Sequence, residues 1–284
     1  MKKIFVLFFM VLVLLSTSQI CLAQVNNISI DEIINEIPEV WWEGGWNKTL
    51  ELNQFINNNL QNKQQCAKAQ YWIACNHYAN RDYKRAIDEF NIVLEQYSGS
   101  WGECVKAQFE IAQIYLYKLK EYEKALTAYN KVLSNYPDQK NLPAQSQRMI
   151  AYTYNRMKNN EKAYDEYKKV WENYSESKLE VTKAYWETAE MISSGCYKQD
   201  LTEEEKKQKL EGSLSLYKKA YIYCPVDEVE VMEWIIDSVV RTFKFLDGNS
   251  KRANAFINFQ IQDKSNNDSL LSEESEIYDP LKDF

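Results

Sequence analysis

Three stretches of this chain superimpose residue on residue: RDYKRAIDEFNIVLEQY (81–97), KEYEKALTAYNKVLSNY (120–136) and NNEKAYDEYKKVWENY (159–174). Their alanines, Ala86, Ala125 and Ala163, stand 39 and 38 residues apart. An aromatic follows each alanine by four residues (Phe90, Tyr129, Tyr167), and each copy closes on a tyrosine (Tyr97, Tyr136, Tyr174). Such a repeat constrains the fold strongly, because every copy must solve the same packing problem against its neighbours. A small residue and an aromatic one turn apart share a helix face. The small residue lets a neighbouring helix approach, and the aromatic fills the space beside the crossing.

A fourth copy, KLEGSLSLYKKAYIYCP (209–225), carries Ser213 and Tyr217 in these two places, and a fainter fifth, KRANAFINFQIQ (251–262), carries Ala253 and Ile257. Ahead of the first four lies a second helical pattern: AKAQYWIACNHYA (67–79), VKAQFEIAQIYLY (105–117), SQRMIAYTYNRM (146–157) and VTKAYWETAEMI (181–192). Its own small residues are Ala74, Ala112, Ala151 and Ala189. Pro137, Pro143 and Pro225 read as punctuation between runs. Each unit is therefore a helix A, a tight turn and a helix B, and no alternating strand pattern competes. The fold class is all-α. One hairpin cannot bury its apolar face alone, so the pairs must stack.

These residues resemble the tetratricopeptide repeat. Its order of small residue and aromatic in helix A, then alanine, aromatic and closing proline in helix B, is met by Ala112, Tyr115, Ala125, Tyr129 and Pro137, and again by Ala151, Tyr154, Ala163 and Tyr167. The resemblance covers about 66–262 and implies a right-handed α-solenoid of about five stacked repeats. The long unit closing on "NYP" is similar to the subgroup in bacterial periplasmic and outer-membrane-assembly proteins. In this family the A helices line a concave groove for peptides. Carried over position by position, that groove holds Lys68, Tyr71, Lys106, Phe109, Gln113, Arg148, Tyr152, Asn155 and Trp186. Cys75, Tyr78, Tyr117, Gln145, Lys183 and Glu190 join them. A basic and aromatic lining suits an extended peptide with carboxylates and apolar side chains.

The start of the chain reads as a secretory signal: Lys2 and Lys3, an apolar run Ile4–Leu15, then Cys21-Leu22-Ala23 before a cleavage expected after Ala23. A lipid anchor on Cys21 is the alternative, disfavoured because Ile20 and Ser18 stand where that signal wants a small residue and leucine. The protein is thus expected to be exported, to the periplasm, cell envelope or exterior. No later segment offers a transmembrane span. Without Lys2 and Lys3, 32 basic residues face 41 acidic ones, which argues against nucleic-acid partners.

Residues 24–65 precede the repeats, with a short helix begun by Ser29 or Asp31, a capping helix over about 48–62, and WWEGGW (41–46) between them. Trp41, Trp42 and Trp46 can plug the open end of the stack or form a platform on which a sugar stacks. The plug is preferred, and a carbohydrate- or cell-wall-binding role is the alternative function. In the insertion 193–208, Thr202 and Glu205 form a capping box, so a helix is expected from Glu203. The tail, 263–284, is acidic and aperiodic and is expected to be disordered.

No motif of phosphate-loop, serine-hydrolase or zinc type is present. His77 occupies the place of Tyr115 and Tyr154 and reads as a packed helix-face residue. Cys66, Cys75, Cys104, Cys196 and Cys224 do not cluster; a bridge between Cys66 and Cys104 is conceivable but awkward at helix-stacking distance. The expectation is a scaffold without enzymatic activity, cofactor or metal, binding a protein or peptide.

Overall fold

The computed structural model describes residues 29–37, 42, 47–139, 141–195, 201–247 and 258, and the chain divides into two compact units, Met1–Glu121 and Tyr122–Phe284. Among the described residues every regular element is helical. The expected signal segment, Trp41, Trp46, Cys196, nearly all of the fifth copy and the acidic tail lie outside them.

In the first unit, α1 (Ile30–Asn35) starts at a capping box: the Ser29 hydroxyl accepts from the Glu32 amide while the Glu32 carboxylate accepts from the Ser29 amide. This satisfies two amides that a helix start leaves without partners. The next helix, α2 (Thr49–Asn58), leads to the pair α3 (Lys63–Ala79) and α4 (Tyr83–Gln96), then to α5 (Trp101–Gln113). Ile30, Ile33, Leu52 and Phe55 of the first two helices close over Ala69 and Ile73 of α3. The cover for the first repeat comes from α1 and α2, whereas Trp42 keeps 54% of its surface exposed. At this residue the plug reading is not met.

Helix α5 does not end as its sister A helices do. It passes into a π-helical turn, Ile114–Leu119. The sequence shows why. Twelve residues separate Ala74 from Ala86 and Ala151 from Ala163, but thirteen separate Ala112 from Ala125. One extra residue has been absorbed as a π-bulge, the usual way a helix accommodates an insertion without unwinding.

The second unit holds α6 (Tyr122–Asn135), α7 (Asn141–Arg156), α8 (Asn160–Asn173), α9 (Lys178–Gly195), α10 (Glu203–Tyr223) and α11 (Val229–Asp247). Each packs on the next, and α9 also touches the A helices α7 and α11. The Thr202–Glu205 capping box starts α10 at Glu203, as its sequence requires.

The repeat positions are the core. Ala86, Ala125, Ala163 and Ser213 are wholly buried, as are Ala74, Ala112, Ala151 and Ala189, while Phe90, Tyr129, Tyr167 and Tyr217 are the largest enclosed side chains. Truncating one of these aromatics to alanine would cost about 3–5 kcal/mol. In two of the repeats a glutamine ties helix A to its own helix B: the Gln70 amide donates to Glu89 and the Gln147 amide to Glu166, at 2.5 and 2.6 Å. Both pairs span nineteen residues, so the same latch recurs in both units. The A-to-B turns end on a left-handed residue that is basic each time: Arg81, Lys120 and Lys158. The following amide then reaches back to a carbonyl of the last A turn, Asp82 to His77 and Asn159 to Tyr154.

Two sequence expectations change. Pro143 is not punctuation but sits in the first turn of α7, where a missing N–H costs nothing. The α11 helix was not foreseen, although Val231, Ile235, Val239 and Phe243, spaced four apart, form its buried stripe. Nor do Cys66 and Cys104 bridge; both are buried thiols. Cys66 Sγ lies 3.2 Å from the Asn59 carbonyl oxygen and Cys104 Sγ 3.3 Å from that of Tyr97. Each caps a carbonyl at the end of the preceding helix.

Candidate partner-binding faces

A partner can only use side chains that the packing leaves over, and the A helices differ sharply in what they leave. In the first unit, Lys68 is half-exposed and pairs with Asp31 at 2.5 Å. Tyr71 is half-buried, with its ring against Trp72 and Phe90. Lys106 is exposed and Gln113 half-buried, whereas Phe109 and Cys75 are enclosed. Tyr78 has the Lys118 ammonium 5.3 Å above its ring centre. Lys106, Gln113, Tyr78 and the exposed Tyr117 therefore supply the outward chemistry of this unit, and Phe109 supplies core.

A shallow cleft of about 270 Å³ opens at the N-terminal cap, lined by Ile33, Glu36, Lys48, Glu51, Gln54, Phe55, Asn58 and Asn59. Lys48 lies between Glu36 and Glu51, which raise its pKa through hydrogen bonds. The cleft's charged groups thus satisfy one another.

In the second unit Arg148 turns inward. Its Nε and Nη1 donate at 2.6 Å to Glu180 and Glu187 on α9, and all three side chains are largely buried. Burial opposes the Arg148 charge, and the two carboxylates more than offset that, so its pKa is raised. Burial likewise raises Glu187, against the pull of Arg148 and the Tyr167 hydroxyl. This guanidinium holds α7 to α9 and is not displayed to a ligand. Tyr152, Asn155 and Lys183 are half-buried.

Trp186 belongs to a larger constellation. Its ring lies 5.7 Å from that of Trp234, tilted by 34°, and its Nε1 donates to Ser238 Oγ at 3.1 Å. Arg241 also donates to Ser238 Oγ, and its other terminal nitrogen lies 3.5 Å from Glu190, whose second oxygen accepts from the Tyr217 hydroxyl. Trp234 is 45% exposed, and the side chain of Arg241 more than half exposed. Two indoles and a positioned guanidinium make a surface suited to apolar and anionic groups together. Trp234, Ser238 and Arg241 were missed in the sequence because α11 was missed. The signal was available: Trp234 falls just off that helix's buried stripe, and Arg241 follows it by seven residues.

No group of three or more His, Cys, Asp or Glu side chains able to hold a metal occurs among the described residues. No helix among them is long and apolar enough to cross a membrane. A family model described as tetratricopeptide repeat matches residues 68–100, 106–138 and 145–177. No curated protein matches the chain.

Proposed function

Since the chain is a tetratricopeptide-repeat protein over residues 68–177, and such repeats generally serve protein–protein interaction and scaffolding, we propose that it is a non-enzymatic scaffold of the bacterial cell envelope that holds a protein or peptide partner on its A-helix faces. The observation that carries this reading is the Trp186–Trp234 pair with Arg241. Trp234 and Arg241 are exposed beside the half-buried Trp186, on helices whose inward faces are already filled by other side chains. Indole faces take apolar side chains, and a guanidinium takes a carboxylate. The signal-like residues 1–23 support export, and the long repeat supports the envelope subgroup.

The test is crosslinking in intact cells followed by mass spectrometry, with wild type compared against Trp234→Ala/Arg241→Ala and an exposed control on α6, Lys131→Ala. Loss of the same crosslinked partner in the double variant alone is the expected result. Identical partner profiles in all three overturn the assignment of this face.

The exposure of Trp42 favours a second reading, a carbohydrate- or cell-wall-binding protein using the N-terminal tryptophans. Under it, glycan fragments quench tryptophan fluorescence and Trp42→Ala abolishes the quenching. An unchanged spectrum at saturating glycan removes that reading.

A further inference from the structure

The face built by Trp186, Trp234 and Arg241 has a fixed spacing between its apolar and its charged parts. Trp186 Nε1 donates to Ser238 Oγ at 3.1 Å, and Arg241 Nη2 donates to the same oxygen at 3.2 Å. Both bonds meet at one atom, so the two nitrogens lie within about 6 Å of each other, near the ~6.6 Å between alternate residues of an extended chain. A guanidinium has five donors. Arg241 spends one on Ser238 and one on Glu190, the latter at a long 3.5 Å, and the others make no hydrogen bond among the described residues. Glu233 and Asp237 also stand exposed on α11, neither paired with Arg241, so the positive end of the face is Arg241 with the exposed Lys244. A segment that fits presents an apolar side chain and, two residues on, a carboxylate.

The chain carries such a segment itself. After α11 the sequence runs on into 263–284, where seven acidic residues outnumber two lysines. Three times there an apolar residue precedes an acid by two places: Leu271 and Glu273, Ile277 and Asp279, Leu281 and Asp283. Tyr278 adds an aromatic ring, and Pro280 disfavours a helix at Asp279, which suits extended docking. Reach is not limiting. Arg241 lies six residues, about 9 Å, before the end of α11 at Asp247. Thirty residues of chain then separate Asp247 from Ile277.

We propose, resting on the reading of this face as a docking surface, that the acidic segment 271–283 docks on the Trp186–Trp234–Arg241 face of its own chain and occupies it until a partner displaces it. The apolar member of one pair lies on the indoles, and its acid pairs with Arg241. The contact is non-covalent and reversible. Because the segment is tethered, its local concentration is on the order of millimolar, so a weak contact suffices to hold the face when no partner is present. A partner must outcompete the tether, and the face therefore selects ligands that bind more tightly than the chain's own segment.

Photocrosslinking of the full chain tests this, with the exposed Phe245, one turn beyond Arg241, replaced by a photoreactive aromatic (Phe245→benzoylphenylalanine). In dilute purified protein the crosslink is expected within single molecules and on residues 271–283. Its yield should fall roughly tenfold in Arg241→Ala, which removes a charge-assisted pair, and equally in Glu273→Gln/Asp279→Asn/Asp283→Asn. In intact cells the triple variant should crosslink its partner several-fold more than wild type does. Crosslinks confined to 251–262, crosslinks only between two copies, or no crosslink to the segment each overturn the proposal. So does a yield indifferent to Arg241→Ala, or a partner yield that the triple variant leaves unchanged. Partner capture in cells without any crosslink to 271–283 removes the self-docking alone and leaves the face as a docking surface, whereas capture of neither removes both.

Discussion

Glu110 and Glu187 hold the same register in their A helices, yet the two units treat them in opposite ways. Arg148 on the preceding A helix grips Glu187, together with Glu180, as a buried ionic cluster. Tyr71, its positional counterpart, brings no positive charge, and burial pushes the Glu110 pKa up to about 7. The backbone slot is common to both, so a single residue three places before the helix-A alanine decides which behaviour results. With arginine there, the acid is a structural tie. With tyrosine there, the acid gains no cation from that position, and burial raises its pKa. A repeat scaffold can thus vary how a partly buried acid is balanced without altering its fold.

The largest way to break the contrast is Arg148→Ala. It leaves two carboxylates largely buried without their cation, and urea denaturation should register a loss of about 3–5 kcal/mol. The loss should shrink as acid protonates Glu187, whose pKa burial already raises. Next is Glu110→Gln. The folded chain holds the Glu110 proton more tightly than the unfolded chain, so wild-type stability is full below the ordinary carboxylate range. It then falls as pH rises through about 7. Glutamine removes that decline: at pH 8.5 the variant should be more stable by up to roughly 3 kcal/mol, with no gain below pH 4. Thermal melts across pH measure both slopes.

A smaller effect is expected from Glu187→Gln. One carboxylate suffices for Arg148, and an amide oxygen still accepts, so the cost should stay near 1 kcal/mol. A loss as large as that of Arg148→Ala would show the two acids to be equally indispensable. Smallest of all, Arg81→Gly and Lys158→Gly should each stabilise by roughly 0.5 kcal/mol, as relief at the left-handed turn exceeds the entropy glycine adds to the unfolded chain. Equal effects in the two units would show that the turns are alike while the acid slots are not.

Much of the architecture was legible because it repeats. Ala86, Ala125 and Ala163 with Phe90, Tyr129 and Tyr167 are both the sequence signature and the buried core. The site was less legible, for physical reasons. Position within a repeat says which face of a helix a residue occupies, not whether a neighbour consumes its charge. Arg148 therefore reads as groove lining in sequence and is an internal tie in the structure. Phe109 likewise reads as groove lining and is core. Trp234 and Arg241 went unseen because α11 has no alanine to mark it; Ser238, Val239 and Phe243 are buried there instead.

The π turn at Ile114–Leu119 carries a consequence for how such chains diversify. In a plain α-helix an added residue would rotate everything after it by about 100°, but the wider π turn takes it up, and the A-to-B corner still closes on a left-handed residue, Lys120. The π turn includes Lys118, whose ammonium lies over the ring of Tyr78 on the neighbouring helix. A duplicated module can thus acquire a new surface contact by a single-codon insertion, keeping its interior while its exterior drifts.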